Sequence, residues 1–217
     1  MNGRRDRKTV ARILENKKKP LIKICGLTDS RAAAAAVDAD FSGFVFAKSR
    51  RQIAPEAAAE LLSEADPDTI SVGVFVDEST REILRSIEIA GIDAVQLHGN
   101  EPDDQIEELH SAGIYVIRAF RMPVPSEQIE RSPADLVLLD SGKPGSGHSF
   151  DWKNIAIKRD YLLAGGLSAE NLEQAEKYGP AGFDISSGAE TYGIKDPDKI
   201  KEILQIGNEL KQRREAA

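Results

Sequence analysis

From Leu21 onward, short apolar runs rich in β-branched residues alternate with longer stretches whose apolar positions recur every three or four residues. The short runs lie at 21–25, 43–46, 70–75, 94–97, 115–118, 136–139, 161–164 and 183–185, which makes eight candidate strands. The longer stretches read as helices. Residues 29–38 are alanine-rich, and Pro55 opens 56–65, as proline does at a first helical position. Residues 79–90 start on a Ser-Thr cap signal and space Ile83, Leu84 and Ile87 along one face. Further helices are expected at 101–112, at 168–178 behind a serine cap, and at 197–213. The fifth and sixth connections, 121–132 with two prolines and 151–158, predict truncated helices.

Strands and helices in strict alternation predict βαβ units and a parallel sheet in one domain. Polar residues decide between an open sheet and a closed one. Lys23, Gln96, His98, Asp140, Asp184 and Ser186 interrupt or end the apolar runs, always near the C-terminal end. Alternate residues of a strand share a face. Lys23 therefore sides with Cys25, Gln96 with His98, and Asp140 with Leu136 and Leu138. One face of each strand packs on helices and the other carries polar groups at its tip. A ring of eight strands gathers such tips into one mouth, which an open sheet does not. The expected fold is a single-domain α/β (β/α)8 barrel over residues 20–217, with a basic N-terminal extension at 1–19.

Charge adds the extension as a separate feature. The chain of 217 residues carries −7, but residues 1–19 hold +6 and the remainder −13. A body this acidic argues against nucleic-acid binding. The head (Arg4, Arg5, Arg7, Lys8, Arg12, Lys17, Lys18 and Lys19) reads as solvated or poorly ordered, as terminal charge runs usually are. No apolar run is long enough to span a membrane and none near the start resembles a signal peptide. The single cysteine cannot pair within the chain, which points to a reducing, cytoplasmic setting, and it rules out cysteine-rich zinc sites.

That cysteine is the first chemical candidate. A lone thiol is more often a small buried hydrophobe. Cys25, however, sits at a strand tip with Lys23 on the same face, and a neighbouring ammonium favours the reactive thiolate. Asp140 ends an apolar run, where a poorly solvated carboxyl suits a general acid, although such an aspartate also caps turns. The glycine-rich loop 141–149 could close over a ligand or be a plain turn. Two glycine-bearing turns follow the last two strands, around Gly165-Gly166 and around Ser186-Ser187-Gly188. Loops in these positions of a barrel often bind phosphate through backbone amides at helix N-termini. Gln96 and His98 face the same mouth, and the arginines at 50 and 51 follow the second strand, where one can grip a carboxylate with two parallel hydrogen bonds.

Taken in order, these segments resemble the phosphoribosylanthranilate isomerase family. The match is carried by Lys23-Ile24-Cys25-Gly26-Leu27-Thr28, Gly43-Phe44-Val45-Phe46 with Ser49-Arg50-Arg51, Val72-Gly73-Val74-Phe75-Val76, Val95-Gln96-Leu97-His98-Gly99, Leu138-Leu139-Asp140-Ser141, Gly145-Ser146-Gly147 with Phe150-Asp151-Trp152, Ala164-Gly165-Gly166-Leu167, and Asp184-Ile185-Ser186-Ser187-Gly188-Ala189-Glu190. The resemblance implies an Amadori rearrangement of N-(5′-phosphoribosyl)anthranilate in tryptophan biosynthesis, with Asp140 as general acid and Cys25 as general base. It implies no metal or organic cofactor, because the substrate nitrogen serves as electron sink. Arg51 would hold the anthranilate carboxylate, with Arg50 as its rival because the preceding stretch is one residue shorter than usual. Gly165, Gly166, Ser186, Ser187 and Gly188 would hold the phosphate, and Gln96 and His98 would shape the pocket. The partner is a phosphorylated small molecule, and a homodimer is compatible with the sequence. Another phosphosugar enzyme on the same barrel is the competing reading, disfavoured by the Cys25 and Asp140 pairing without a glutamate-lysine set at the strand ends. A catalytically dead metabolite-binding barrel is a third.

Overall fold

The computed structural model describes residues 4–63, 66, 68–140 and 157–216. Eight parallel strands pair in chain order and the eighth returns to the first, closing a barrel. They are β1 (Leu21–Cys25), β2 (Phe41–Val45), β3 (Ile70–Phe75), β4 (Ala94–Leu97), β5 (Tyr115–Arg121), β6 (Leu136–Asp140), β7 (Tyr161–Ala164) and β8 (Gly182–Ile185). Around and between them run α1 (Arg7–Asn16), α2 (Ser30–Ala35), α3 (Pro55–Leu62), α4 (Thr80–Ala90), α5 (Asp103–Ser111), α6 (Ser126–Glu130), α7 (Leu172–Glu176) and α8 (Pro197–Glu215). A small hairpin, β9 (Glu190–Thr191) with β10 (Ile194–Lys195), follows β8.

The two faces of the strands build two cores. Ile22, Ile24, Val95, Leu97, Val137, Leu139, Phe183 and Ile185 point outward and pack beneath the helices. Leu21, Phe41, Ile70, Val72, Ala94, Ile117, Leu136, Leu138 and Leu162 alternate with them and fill the barrel. Local signals set the helix starts: Ser79 Oγ accepts from Glu82 N to cap α4, and Pro55 opens α3. Gly91, at φ 72°, ends α4 in the left-handed conformation that glycine tolerates.

The structure departs from the sequence reading in three places. β2 starts earlier and β5 runs further than the apolar runs suggest, because ladder pairing with neighbours extends them. α7 is a short piece starting at Leu172 rather than Ser168. Asn171 accepts from Ser168 N and donates to Gly166 O, which holds the preceding residues as a turn. The largest correction concerns the basic head. Residues 7–16 are ordered as α1, which keeps Lys8 and Arg12 exposed to solvent but buries Val10 and Leu14 against the barrel floor. Arg5 makes a fork on Asp93, Arg7 bonds Asp135 and Lys17 pairs with Asp40. These three aspartates stand immediately before β4, β6 and β2. The expected short helix within 151–158 lies almost wholly outside the described residues.

Candidate active site

Inward-facing side chains at the C-terminal ends of the strands converge on the mouth of the barrel. β1 contributes Lys23 and Cys25, β4 contributes Gln96 and leads into His98, β6 contributes Asp140, and β8 contributes Asp184 and leads into Ser186. The period-two reading of the sequence put these residues on one surface, and ladder register brings them together. Lys23 lies opposite Asp184 in the β1–β8 pairing, and its Nζ donates to Asp184 Oδ1 at 2.8 Å.

Around the thiol, space and charge are tightly shared. Cys25 and Lys23 are buried, and on β2 the inward position opposite Cys25 is Gly43. A Cβ at Gly43 would lie 3.0 Å from both Cys25 Sγ and Lys23 Nζ, so glycine leaves the room in which the two groups meet. Burial works against charge on Lys23, but the Asp184 carboxylate bonded to its Nζ offsets this and favours the protonated lysine. For Cys25 the balance falls the other way. Burial pushes the thiol above its ordinary value; Lys23 opposes the shift but is partly neutralised by Asp184. The resting group is therefore a thiol, where the sequence alone suggested a thiolate. Ser186 Oγ donates to Cys25 O at 3.2 Å and ties the β8 turn to this strand tip.

On the other side of the mouth a hydrogen-bond chain leads to Asp140. Gln96 Nε2 lies 2.9 Å from His98 Nδ1, and His98 Nε2 lies 3.2 Å from Asp140 Oδ2. An amide nitrogen only donates, so Nδ1 accepts and the ring proton rests on Nε2, which donates to the carboxyl. His98 thus links Gln96 to one oxygen of the Asp140 carboxyl. Among the described residues, no hydrogen-bond partner meets the buried Gln96 Oε1.

The two arginines separate clearly. Gly26 has φ +86°, and a Cβ there would stand 2.6 Å from Arg51 Cδ; the Arg51 stem crosses directly above the residue that follows the thiol. Arg50 lies further out, beside Gly193, with 58% of its side chain exposed against 23% for Arg51. Both reach Glu190, which the sequence reading quoted only as part of a motif. Arg51 Nε and Nη2 donate to its two oxygens at 2.5 and 3.1 Å, and the buried Lys195 Nζ donates at 2.8 Å. Burial resists ionisation of Glu190, but hydrogen bonds from Arg51 and Lys195 prevail and hold its carboxyl below the usual range.

The two glycine turns lie against each other. A Cβ on Gly188 would overlap Leu167 O at 1.9 Å, so only glycine lets the β8 turn reach the β7 turn. Gly165 and Gly166 have φ 95° and 66°, which also favours glycine. Neither turn opens a long helix: α7 begins at Leu172, and Ser187–Ala189 is a single 3₁₀ turn. Any anion here would meet turn backbone, not the N-terminal end of a long helix expected from the sequence. The loop at 141–149 and the Phe150-Asp151-Trp152 motif lie outside the described residues.

A model of the N-(5′-phosphoribosyl)anthranilate (PRA) isomerase family matches residues 22–206. The chain belongs to this family. An N-(5′-phosphoribosyl)anthranilate isomerase of Streptococcus pneumoniae is 39% identical over 190 residues, covering 85% of this chain and 94% of that protein. Among solved structures, phosphoribosyl anthranilate isomerase from Thermus thermophilus is similar with TM-score 0.80 and 36% identity, over 88% of this chain and 99% of that one. A phosphoribosyl anthranilate isomerase bound to reduced 1-(o-carboxyphenylamino)-1-deoxyribulose 5-phosphate is similar with TM-score 0.75 and 36% identity, over 87% and 98%. The family match begins at the first strand, so α1 lies outside it.

Proposed function

We propose that this chain isomerises N-(5′-phosphoribosyl)anthranilate to 1-(2-carboxyphenylamino)-1-deoxyribulose 5-phosphate, the intramolecular oxidoreduction of its family, with Cys25 as base and Asp140 as acid. The observation that carries the assignment of roles is that both groups occupy inward positions at the C-terminal tips of different strands, β1 and β6, of one barrel. Asp140 gives its proton to the ribose ring oxygen, the C1′–O4′ bond breaks, and the anthranilate nitrogen lone pair forms an iminium. Cys25, ionised beforehand by release of its thiol proton to solvent, then removes the C2′ proton as a thiolate, giving an enolamine. A proton returns to C1′ and the O2′ proton leaves as the ketone forms, so acid and base are both restored. Burial makes Cys25 a strong base, and the positive iminium, arriving beside Lys23, favours its anionic form when it is needed. His98 steadies Asp140 through its Oδ2.

Arg51 takes the anthranilate carboxylate, because it lies over the Cys25–Gly26 backbone while Arg50 stands out toward solvent. The paired turns at Gly165-Gly166 and Ser186-Ser187-Gly188 take the phosphate, and Gln96 lines the pocket floor. The reaction runs in the cytoplasm, where a lone thiol stays reduced. Purified protein should consume the fluorescent substrate with turnover unchanged by EDTA. Absence of turnover, with the phosphorylated product analogue still bound, would favour the dead-barrel reading.

A further inference from the structure

Glu190 is buried at the start of the β9–β10 hairpin and is met by three cations. Its contact with Arg51 has a definite shape. Glu190 occupies the Nε–Nη2 edge of the guanidinium, the side edge, with one oxygen on each nitrogen. A guanidinium has a second edge able to hold a carboxylate with two parallel bonds, formed by Nη1 and Nη2. Among the described residues no hydrogen bond to Arg51 Nη1 is made. The same carboxylate reaches backward through Lys195, whose Nζ bonds Glu190 Oε1 at 2.8 Å and Ser186 O at 2.9 Å. The hairpin is itself fixed: Lys199 Nζ donates to Glu190 O, and Thr191 Oγ1 bonds the Asp196 cap of α8. Glu190 therefore stands between the arginine over the thiol and the glycine turn that follows β8.

We propose that Glu190 is a positioning residue for substrate selection: it turns the free edge of Arg51 toward the aromatic ortho-carboxylate and fixes that edge at a set distance from the β8 phosphate turn. This rests on the isomerase reading above and adds to it a means of recognising substrates that carry an anion at each end. A flexible arginine would lose side-chain entropy on binding; one already held by a buried carboxylate loses less. Arg50 also touches Glu190, but its exposure places it outside this device.

The test compares two stable ligands by titration calorimetry: the reduced product analogue with its carboxyl group, and the same compound made with aniline in place of anthranilate. Wild-type protein should prefer the carboxylated ligand by roughly 10-fold or more, as expected for two charge-assisted hydrogen bonds. Glu190→Gln should remove most of that preference by weakening the carboxylated ligand alone, with ribitol 5-phosphate binding unchanged. Glu190→Asp keeps a charge beside Lys195 but withdraws from Arg51, and should have the same effect if the glutamine variant fails to fold. Arg51→Lys should also abolish the preference, and combining it with Glu190→Asp should cost nothing further. Equal weakening of both aromatic ligands would mark Glu190 as merely structural and overturn the proposal, as would an undiminished preference in both variants. If wild-type protein binds neither aromatic ligand, the isomerase reading falls and the proposal with it; if it binds both equally, the proposal alone falls.

Discussion

At the scale of residues, the site depends on how burial and charge are balanced around one sulfur. Lys23 faces Cys25, as the period of a strand requires, but it also serves Asp184, and burial leaves Cys25 a thiol at rest. A base with a raised pKa is mostly protonated at neutral pH, and its anionic fraction grows as pH rises. The ascending limb of kcat/KM should therefore lie above the ordinary thiol value of about 8.5; a limb well below 7 would contradict the charge balance described. Gly43 is the steric counterpart. Gly43→Ala places a methyl 3.0 Å from Sγ, Nζ and the Cys25 Cα and should lower kcat together with a fall of a few degrees in melting temperature, measured side by side. The thiol, the acid and their shared face were readable from sequence because they are local, strand-period facts. The pairing of Asp184 with Lys23 and of Glu190 with Arg51 was not, since these partners lie 161 and 139 residues apart and only barrel closure joins them.

Among the elements, α1 has the clearest consequence. Its apolar stripe, Val10, Ala11, Ile13 and Leu14, has helical spacing but is one short turn set in a basic terminal run, which does not by itself separate a docked helix from a solvated one. What docks it is charge complementarity with entry aspartates that no local pattern marks. Asp93, for example, accepts from the Arg5 backbone and side chain and from Ser71 at once. Removing residues 1–16 exposes the floor and leaves buried carboxylates short of partners. Burying two such side chains is worth about 3 kcal/mol or more, which for this size lowers Tm by roughly 10 °C. The site lies at the opposite end of the strands, so kcat measured well below the new Tm should be retained. An unchanged Tm would show that α1 is not part of the floor. The strands themselves were legible because two buried faces make short, mostly apolar runs, whereas the two-residue strands β9 and β10 are too short for any periodicity to register.

In the whole molecule, the barrel separates stability from chemistry along its axis. The floor is sealed by α1 and a ring of ion pairs, the middle is filled with Leu, Ile, Val and Phe, and polar inward side chains are confined to the upper layers. This is why parity alone indicated a closed ring: four of eight strands carry polar groups of one sense at their tips, and a ring gathers them into one mouth. Closure also brings Cys25 on β1 and Asp140 on β6 to the same rim from strands separated by two others. The account stands on those two groups moving protons at different atoms of one bound sugar. Its most direct test is steady-state turnover of phosphoribosylanthranilate by Cys25→Ser and Asp140→Asn, each confirmed folded and able to bind the reduced product analogue. Loss of one proton-transfer group should reduce kcat by about 10²-fold or more in each variant. Turnover near the wild-type rate in either would contradict the role assigned to that residue and, with it, the two-sided proton transfer.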